Sequence, residues 1–289
     1  MISYTIWSEA GGVGKTTLSV NLAAAHARRG QKVLVIDMDP QNGGLTHHFG
    51  VEGHRDDPEI DNLVRHMVER PKGDFADLIV EVETNLDLVP GHNMLESLER
   101  NLTRAAQMEE DMHDANYRWP KEKQLRRVLA DADIPASYDV LIIDPPATVG
   151  QHIYNSIYAT SNLLIPAELS AKGSQSVDGL RDVVTNIEST LGDIEVGVLG
   201  VIPNKVANTN VQRDYREKLD EQDLPIAPVS IRERGSMLGD AWDSQVSIFE
   251  LAENDAYRDL RDYEEETLAK LDQLAAFISE QFDQPEVTA

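Results

Sequence analysis

The chain is 289 residues long, enough to bury a full core, and its 51 acidic against 26 basic residues leave a formal net charge of −25. It has no cysteine, which excludes disulfides, thiolate zinc sites, cysteine nucleophiles and iron–sulfur clusters held by the chain's own thiolates. The acids are dispersed rather than gathered in a tail, a pattern that keeps a protein hydrated in concentrated salt. A halophilic source is therefore expected, the alternative being simply an acidic mesophilic protein, and the mean negative field repels nucleic acid except at local basic islands.

Apolar β-rich runs alternate with segments of helical period along the chain. The run Met1–Trp7 is too short for a signal peptide and carries no basic flank; its Tyr4-Thr5-Ile6-Trp7 stretch reads as a strand. A glycine loop follows, then a helix from about Lys15 to Arg29. Val33-Leu34-Val35-Ile36 is a second strand and ends at Asp37. Helical stretches lie near Ile60–Glu69 and Met94–Met112, with a short strand, Leu86–Val89, stopped by Pro90-Gly91. Val140-Leu141-Ile142-Ile143 ends at Asp144-Pro145-Pro146, and Leu163–Pro166 and Val196–Ile202 are further strands around a helix from about Ser174 to Thr190. Continuous apolar strands alternating with helices predict a mostly parallel sheet covered by helices on both faces, with ligands beyond the strands' carboxyl ends.

No linker, repeat or low-complexity stretch interrupts this order, so residues 1–289 read as one domain. Its last element, at about 255–283, is an amphipathic helix with an apolar stripe from Tyr257 through Leu260, Leu268, Leu271, Leu274 and Ile278 to Phe282, broken only by Glu264. Its polar face carries Asp259, Asp262, Glu265, Glu266 and Asp272, the wrong sign for anionic lipid, so packing on the sheet is expected. No stretch approaches the roughly 18 apolar residues of a membrane span, and a soluble, cytoplasmic protein without a membrane partner is expected.

Three motifs carry the chemistry. Gly11-Gly12-Val13-Gly14-Lys15-Thr16-Thr17 lies between a strand and a helix, where glycines let successive N–H groups face phosphate oxygens at the helix's positive end. Lys15 then supplies charge to the β- and γ-phosphates, and the Thr16 hydroxyl can ligate Mg²⁺. The strict pattern fails at its first glycine, where Glu9 stands. Asp37-Met38-Asp39-Pro40-Gln41 brings two carboxylates to the rim of the same site, and Asp144 ends an apolar strand where it can hold Mg²⁺ through water.

These motifs resemble those of the ParA/MinD family of deviant Walker P-loop ATPases, and the similarity runs from Ser3 to about Glu250. It implies a P-loop NTPase fold of the SIMIBI type, a sheet of roughly eight strands, ATP and Mg²⁺ as cofactors and an ATP-dependent homodimer. By the same resemblance Asp39 would orient the attacking water, Asp37 would support the metal, and Asn204, in Gly200-Val201-Ile202-Pro203-Asn204-Lys205, would lie beside the adenine. Arg232 and Arg234, in Pro228-Val229-Ser230-Ile231-Arg232-Glu233-Arg234, fall where ParA proteins place DNA-contacting residues. A ParB-type activating partner and slow hydrolysis belong to the same expectation.

One departure stands out: the family's signature lysine before the Gly-Gly pair is Ala10 here. A residue acting in trans, a bound K⁺, or impaired hydrolysis would each account for it. Basic islands at Arg118, Lys121, Lys123, Arg126 and Arg127, at Arg213, Arg216 and Lys218, and at Arg232 with Arg234 are either solvated faces paired with acids or non-specific DNA contacts. His47-His48 is too close for a persuasive metal pair, and Trp7, Trp119 and Trp242 read as packing residues. The functional expectation is an ATPase switch that segregates or positions DNA or another cargo. The alternatives are an ATP-using synthetase resembling dethiobiotin or cobyrinate synthetases, and a regulatory ATP-binding protein with impaired hydrolysis; relatives of the nitrogenase iron protein are excluded by the lack of cysteine.

Overall fold

The computed structural model describes residues 1–171, 173, 179–207, 209–221, 224–254, 256–257 and 259–283. Seven strands form one sheet: β1 (Ile2–Ile6), β2 (Val33–Asp37), β3 (Val80–Glu83), β4 (Leu86–Val89), β5 (Val140–Asp144), β6 (Asn162–Glu168) and β7 (Gly197–Asn204), in the order β3-β4-β2-β5-β1-β6-β7. All pairs are parallel except β3 with β4. β2 and β5 are buried along their whole length, as strands covered on both faces must be.

Period-2 alternation assigns each strand residue to one of two apolar layers. Val33, Val35, Val140 and Ile142 face a core shared with α1 (Lys15–Arg28) and the helices near the carboxyl end. Leu34, Ile36, Leu141 and Ile143 face the opposite core, built with α3 (Leu63–Met67), α4 (Leu98–Asp111), α5 (Gln124–Asp131) and α6 (Ile134–Ser137), while α2 (Leu45–His48) puts Leu45 into the first core. Leu163, Ile165 and Val201 extend this second face under α7 (Gln151–Thr160), α8 (Leu180–Leu191) and α9 (Asn210–Asp220). α10 (Gly235–Ser244), α11 (Ile248–Glu253) and α12 (Asp262–Asp283) complete the first face.

Among the described residues the sheet has seven strands where roughly eight were expected. The segment 225–232 lies where an eighth would pair: Val201 N–H donates to Pro225 O at 2.8 Å, Ala227 N–H to Val201 O at 2.9 Å and Ile231 N–H to Pro203 O at 2.9 Å. Pro225 and Pro228 offer no N–H, so the contacts remain isolated bridges. β3 is an edge strand returned by a two-residue turn, Thr84-Asn85, with Asn85 at φ 61°. Of the helix expected from Ser174, residues 174–178 lie outside the described residues, and α8 begins at Leu180. The stretches expected near Ile60–Glu69 and Met94–Met112 shorten to α3 and to α4, the latter preceded by a 3₁₀ turn at Asn93–Ser97.

α12 packs on α1 through Leu271, Leu274, Ala275 and Ile278, all buried. Glu264 interrupts the apolar stripe because its carboxylate accepts the Arg261 N–H at 2.9 Å, closing the first turn of the helix. Among the described residues no helix is long and apolar enough to cross a membrane.

Candidate nucleotide-binding site

The loop between β1 and α1 turns through Gly12 at φ 76° and Gly14 at φ 90°, conformations that side chains resist. Gly14 is also sterically fixed: a Cβ there would lie 2.5 Å from Asn204 Nδ2. That amide donates to Val13 O at 2.8 Å, so the end of β7 is clasped to the loop. Gly11 and Gly12 face open space, leaving room for a phosphate chain against the backbone N–H groups.

Lys15, at the start of α1, donates to Ser8 O and Ala10 O, both at 3.3 Å. Burial lowers its pKa, while Asp144 and Asp39 oppose that shift. Thr16 donates its hydroxyl to Asp144 Oδ2 at 2.7 Å, and Ser19, one turn on, donates to Oδ1 at 3.0 Å. Asp144 is 1% exposed; burial, together with the charges of Asp37 and Asp39, pushes its pKa up to about 7 against the pull of the two hydroxyls.

Asp37 and Asp144 stand in register on neighbouring strands, yet their carboxylates serve different neighbours. Asp37 is fully buried and accepts from the Thr46 N–H at 2.9 Å, from the Thr46 hydroxyl, and from the Asp39 N–H at 3.0 Å. Its place is the hub of the loop after β2 rather than the hydroxyl-lined position that Asp144 occupies. Asp39 instead lines the same cleft as Gly11, Gly12, Lys15 and Thr16, with its Oδ1 accepting the Gln41 N–H at 2.9 Å.

The expected nucleotide-site residues thus converge, with Asn204 at their side. A second, mostly apolar groove opens next to Gly14 and Thr17 and is walled by Asn204, Ile231, Leu238 and Leu271. Arg232 and Arg234 lie in this wall. Arg232 pairs with Glu266 at 3.7 Å; Arg234 donates to Thr267 Oγ1 at 3.1 Å and stacks over Tyr263 at 5.0 Å. The DNA reading of this pair gains no support from such a placement. The other islands are largely tied to neighbours: Lys121 to Glu99, Lys123 to Asp193, Arg127 to Asp131 and Arg216 to Asp220.

Ala10 is buried. Among the described residues, Lys205 joins Lys15 as a cation lining the cleft, and it reaches Glu168 at 3.6 Å. Trp7 and Trp119 are packed inside, but Trp242 lines the cleft and lies against His47 in a tilted ring contact at 5.0 Å. His48 bonds Val246 O at 2.8 Å, a structural role. Sequence reasoning passed over Ser19, Thr46, Arg55, Lys205 and Trp242. Only Ser19 carried a signal, its i+3 spacing from Thr16 putting both on one helix face.

The donor set suits a hard cation bound together with phosphate. Among the described residues no three His, Cys, Asp or Glu side chains cluster to hold a metal by themselves. One buried carboxylate with a threonine hydroxyl on it leaves most ligands to phosphate and water, the usual arrangement for Mg²⁺.

The AAA_31 family model, an AAA domain, matches residues 2–195. Maintenance of carboxysome distribution protein A of Synechococcus elongatus is 29% identical over 203 residues, 70% of this chain and 72% of that protein. A putative plasmid partition protein of Borrelia burgdorferi bound to AMPPNP superposes with a TM-score of 0.70 at 19% identity, covering 96% of this chain and 98% of that one. Cobyrinic acid a,c-diamide synthase of Mycobacterium smegmatis, with a bound ATP analogue and magnesium, gives 0.69 at 20% identity over 99% of both chains. With its glycine loop, Walker-type carboxylates and parallel sheet, the chain belongs to this AAA domain family and is a ParA/MinD-like P-loop ATPase by family.

Proposed function

We propose that the chain binds Mg-ATP, hydrolyses it slowly, and closes into an ATP-dependent homodimer that segregates or positions DNA or another cargo with a ParB-type activating partner. The observation that carries this reading is the convergence of Lys15, the Thr16–Asp144 pair and Asp39 on one cleft. Lys15 and the loop N–H groups hold the phosphates, and Thr16 and Asp144 hold the cation, which supplies charge neutralisation at the phosphates. Asp37 keeps the loop in shape so that the Asp39 carboxylate orients water at the cleft. Asn204 donates through Nδ2 to Val13 O, which fixes its side chain, and its carboxamide oxygen is the acceptor for the adenine amino group, with the apolar groove beneath the ring. The carboxysome-distribution relative favours the positioning role over synthesis.

Light scattering in high KCl with ADP, with ATP, and with Asp39→Ala plus ATP tests the reading. A dimer only with ATP, made persistent by the variant, is expected, and it would mean that Ala10 is compensated. A monomer in every condition would sink the dimer cycle and favour a synthetase or a silent ATP-binding protein.

A further inference from the structure

Arg55 belongs to no motif, and it is 6% exposed. All five of its side-chain hydrogen bonds go to carbonyl oxygens: Asn93 Oδ1 at 3.1 Å, Gly91 O at 3.4 Å, and Asp39 O, Pro40 O and Gln41 O at 3.4, 2.8 and 2.9 Å. One guanidinium nitrogen therefore gathers three successive carbonyls of the loop after β2. Pro40 has no N–H to anchor that loop, and an arginine fork is the side chain whose fixed donors can do so from below. The charge is countered electrostatically by buried Asp37, at the centre of the same network. The approach is close: a Cβ at Gly91 would lie 3.0 Å from Arg55 Nη1 and 3.1 Å from the Asp37 carboxyl.

The consequence reaches the cleft through one peptide. The Pro40 carbonyl is held by Arg55 at 2.8 Å, while the N–H of the same peptide, that of Gln41, bonds Asp39 Oδ1. The Asp39 N–H in turn bonds Asp37 Oδ1. Rotating the loop by releasing its carbonyls would turn the carboxylate that faces the cleft, without touching the glycine loop, Lys15, Thr16 or Asp144. We propose that Arg55 is a positioning residue for hydrolysis: it sets the orientation of the Asp39 carboxylate and leaves nucleotide affinity to the phosphate loop. The proposal rests on the reading of Asp39 given above.

The test compares Arg55→Lys, Arg55→Ala and Asp39→Ala in the full chain. It measures steady-state hydrolysis, Mg-ATP binding, and amide hydrogen exchange in peptides spanning residues 37–46. Arg55→Lys keeps the charge but loses the fork, and it serves if the alanine variant folds poorly. A misplaced reacting group costs up to about a hundredfold, so kcat is expected to fall about tenfold for lysine and about a hundredfold for alanine. The Mg-ATP dissociation constant should stay within about threefold of the parent's, exchange at Gln41 and Thr46 should quicken, and millimolar guanidinium should restore part of the alanine variant's kcat. Unchanged kcat in both variants overturns the proposal. So does loss of affinity in step with kcat, which would mark a merely structural role. If Asp39→Ala hydrolyses ATP at the parent rate, the catalytic reading of Asp39 fails on its own, and unchanged loop exchange in the Arg55 variants overturns the clamp separately.

Discussion

Asp37, Asp144 and His26 are ionisable side chains inside the fold, and each is accommodated by different means. Asp37 is surrounded by donors from Thr46 and Asp39, which only partly oppose burial, so its pKa remains raised. Asp144 has two hydroxyls, and its carboxyl stays near neutral pH because burial and two nearby carboxylates outweigh them. A cation held there, as proposed above, would relieve that cost. His26, on the buried face of α1, bonds Gln31 Oε1 through Nδ1 at 2.8 Å, while its Nε2 has no hydrogen-bond partner. Burial, with Arg29 adding to it, lowers its pKa to about 4 from 6.5. The unfolded chain therefore takes up a proton that the folded one refuses, and the stability His26 contributes is present above about pH 6.5 and lost as pH falls toward 4. Urea unfolding of His26→Gln beside the parent should show the parent losing on the order of 2–3 kcal/mol more across that window. Parallel curves would mean that the ring is protonated in the fold or that water reaches it.

The elements divide into those with local signals and those set by distant partners. β2, β5 and the glycine loop were legible because an unbroken apolar run followed by an acid, or a glycine cluster before a helix, encodes strand and terminus within a few residues. β3 was missed: Val80-Glu81-Val82-Glu83 is short and carries two acids, and Glu83 is buried only because Arg28, 2.6 Å away, and Ser247 come from elsewhere. The eighth strand was expected from resemblance and reduced to bridges by two prolines. Asp39 and Asp144 could be picked from their motifs as candidate site residues; Arg55 could not, since nothing local separates a clamp from a solvated arginine. α12 was expected as a helix packed on the sheet, but the groove its first turns wall was not legible in the sequence. Thr267 and Leu271 wall the groove beside Asn204, whereas Ile278 lies deep in the core two turns on. Leu271→Ala and Ile278→Ala should each cost about 2–5 kcal/mol of stability. Only Leu271→Ala should also weaken ATP binding, by about tenfold or less, as measured by titration at a temperature where both variants are folded. Equal affinities would place the base elsewhere than this groove.

At the scale of the whole molecule, the charge of −25 sets conditions for everything above. Much of the limited basic complement is spent inside ion pairs with neighbouring acids, as at Arg28 with Glu83, Glu250 and Glu253, and at Arg29 with Asp272. The excess acids repel one another across the surface, and that repulsion favours expansion of the chain. Salt shortens its range to about 3 Å at 1 M, against about 10 Å at 0.1 M, while the buried Asp37 and Asp144 sites are screened far less. Adding salt should therefore stabilise the fold instead of loosening it. The melting temperature is expected to climb steadily as KCl is raised from 0.1 to 2 M, with nucleotide absent, and equally in NaCl, because screening does not distinguish the two cations. A rise confined to KCl would point to a bound K⁺, one of the ways the charge missing at Ala10 could be supplied. A flat or falling curve would mean that the surface acids are locally neutralised, and the halophilic reading of the composition would be lost. The same field opposes DNA, whose non-specific binding weakens steeply with salt, so conditions that firm the fold are those in which a nucleic-acid cargo is hardest to hold. A cargo engaged through a protein adaptor escapes that conflict, since an adaptor's basic surface gains from the acidic one at moderate salt and its apolar contacts persist at high salt.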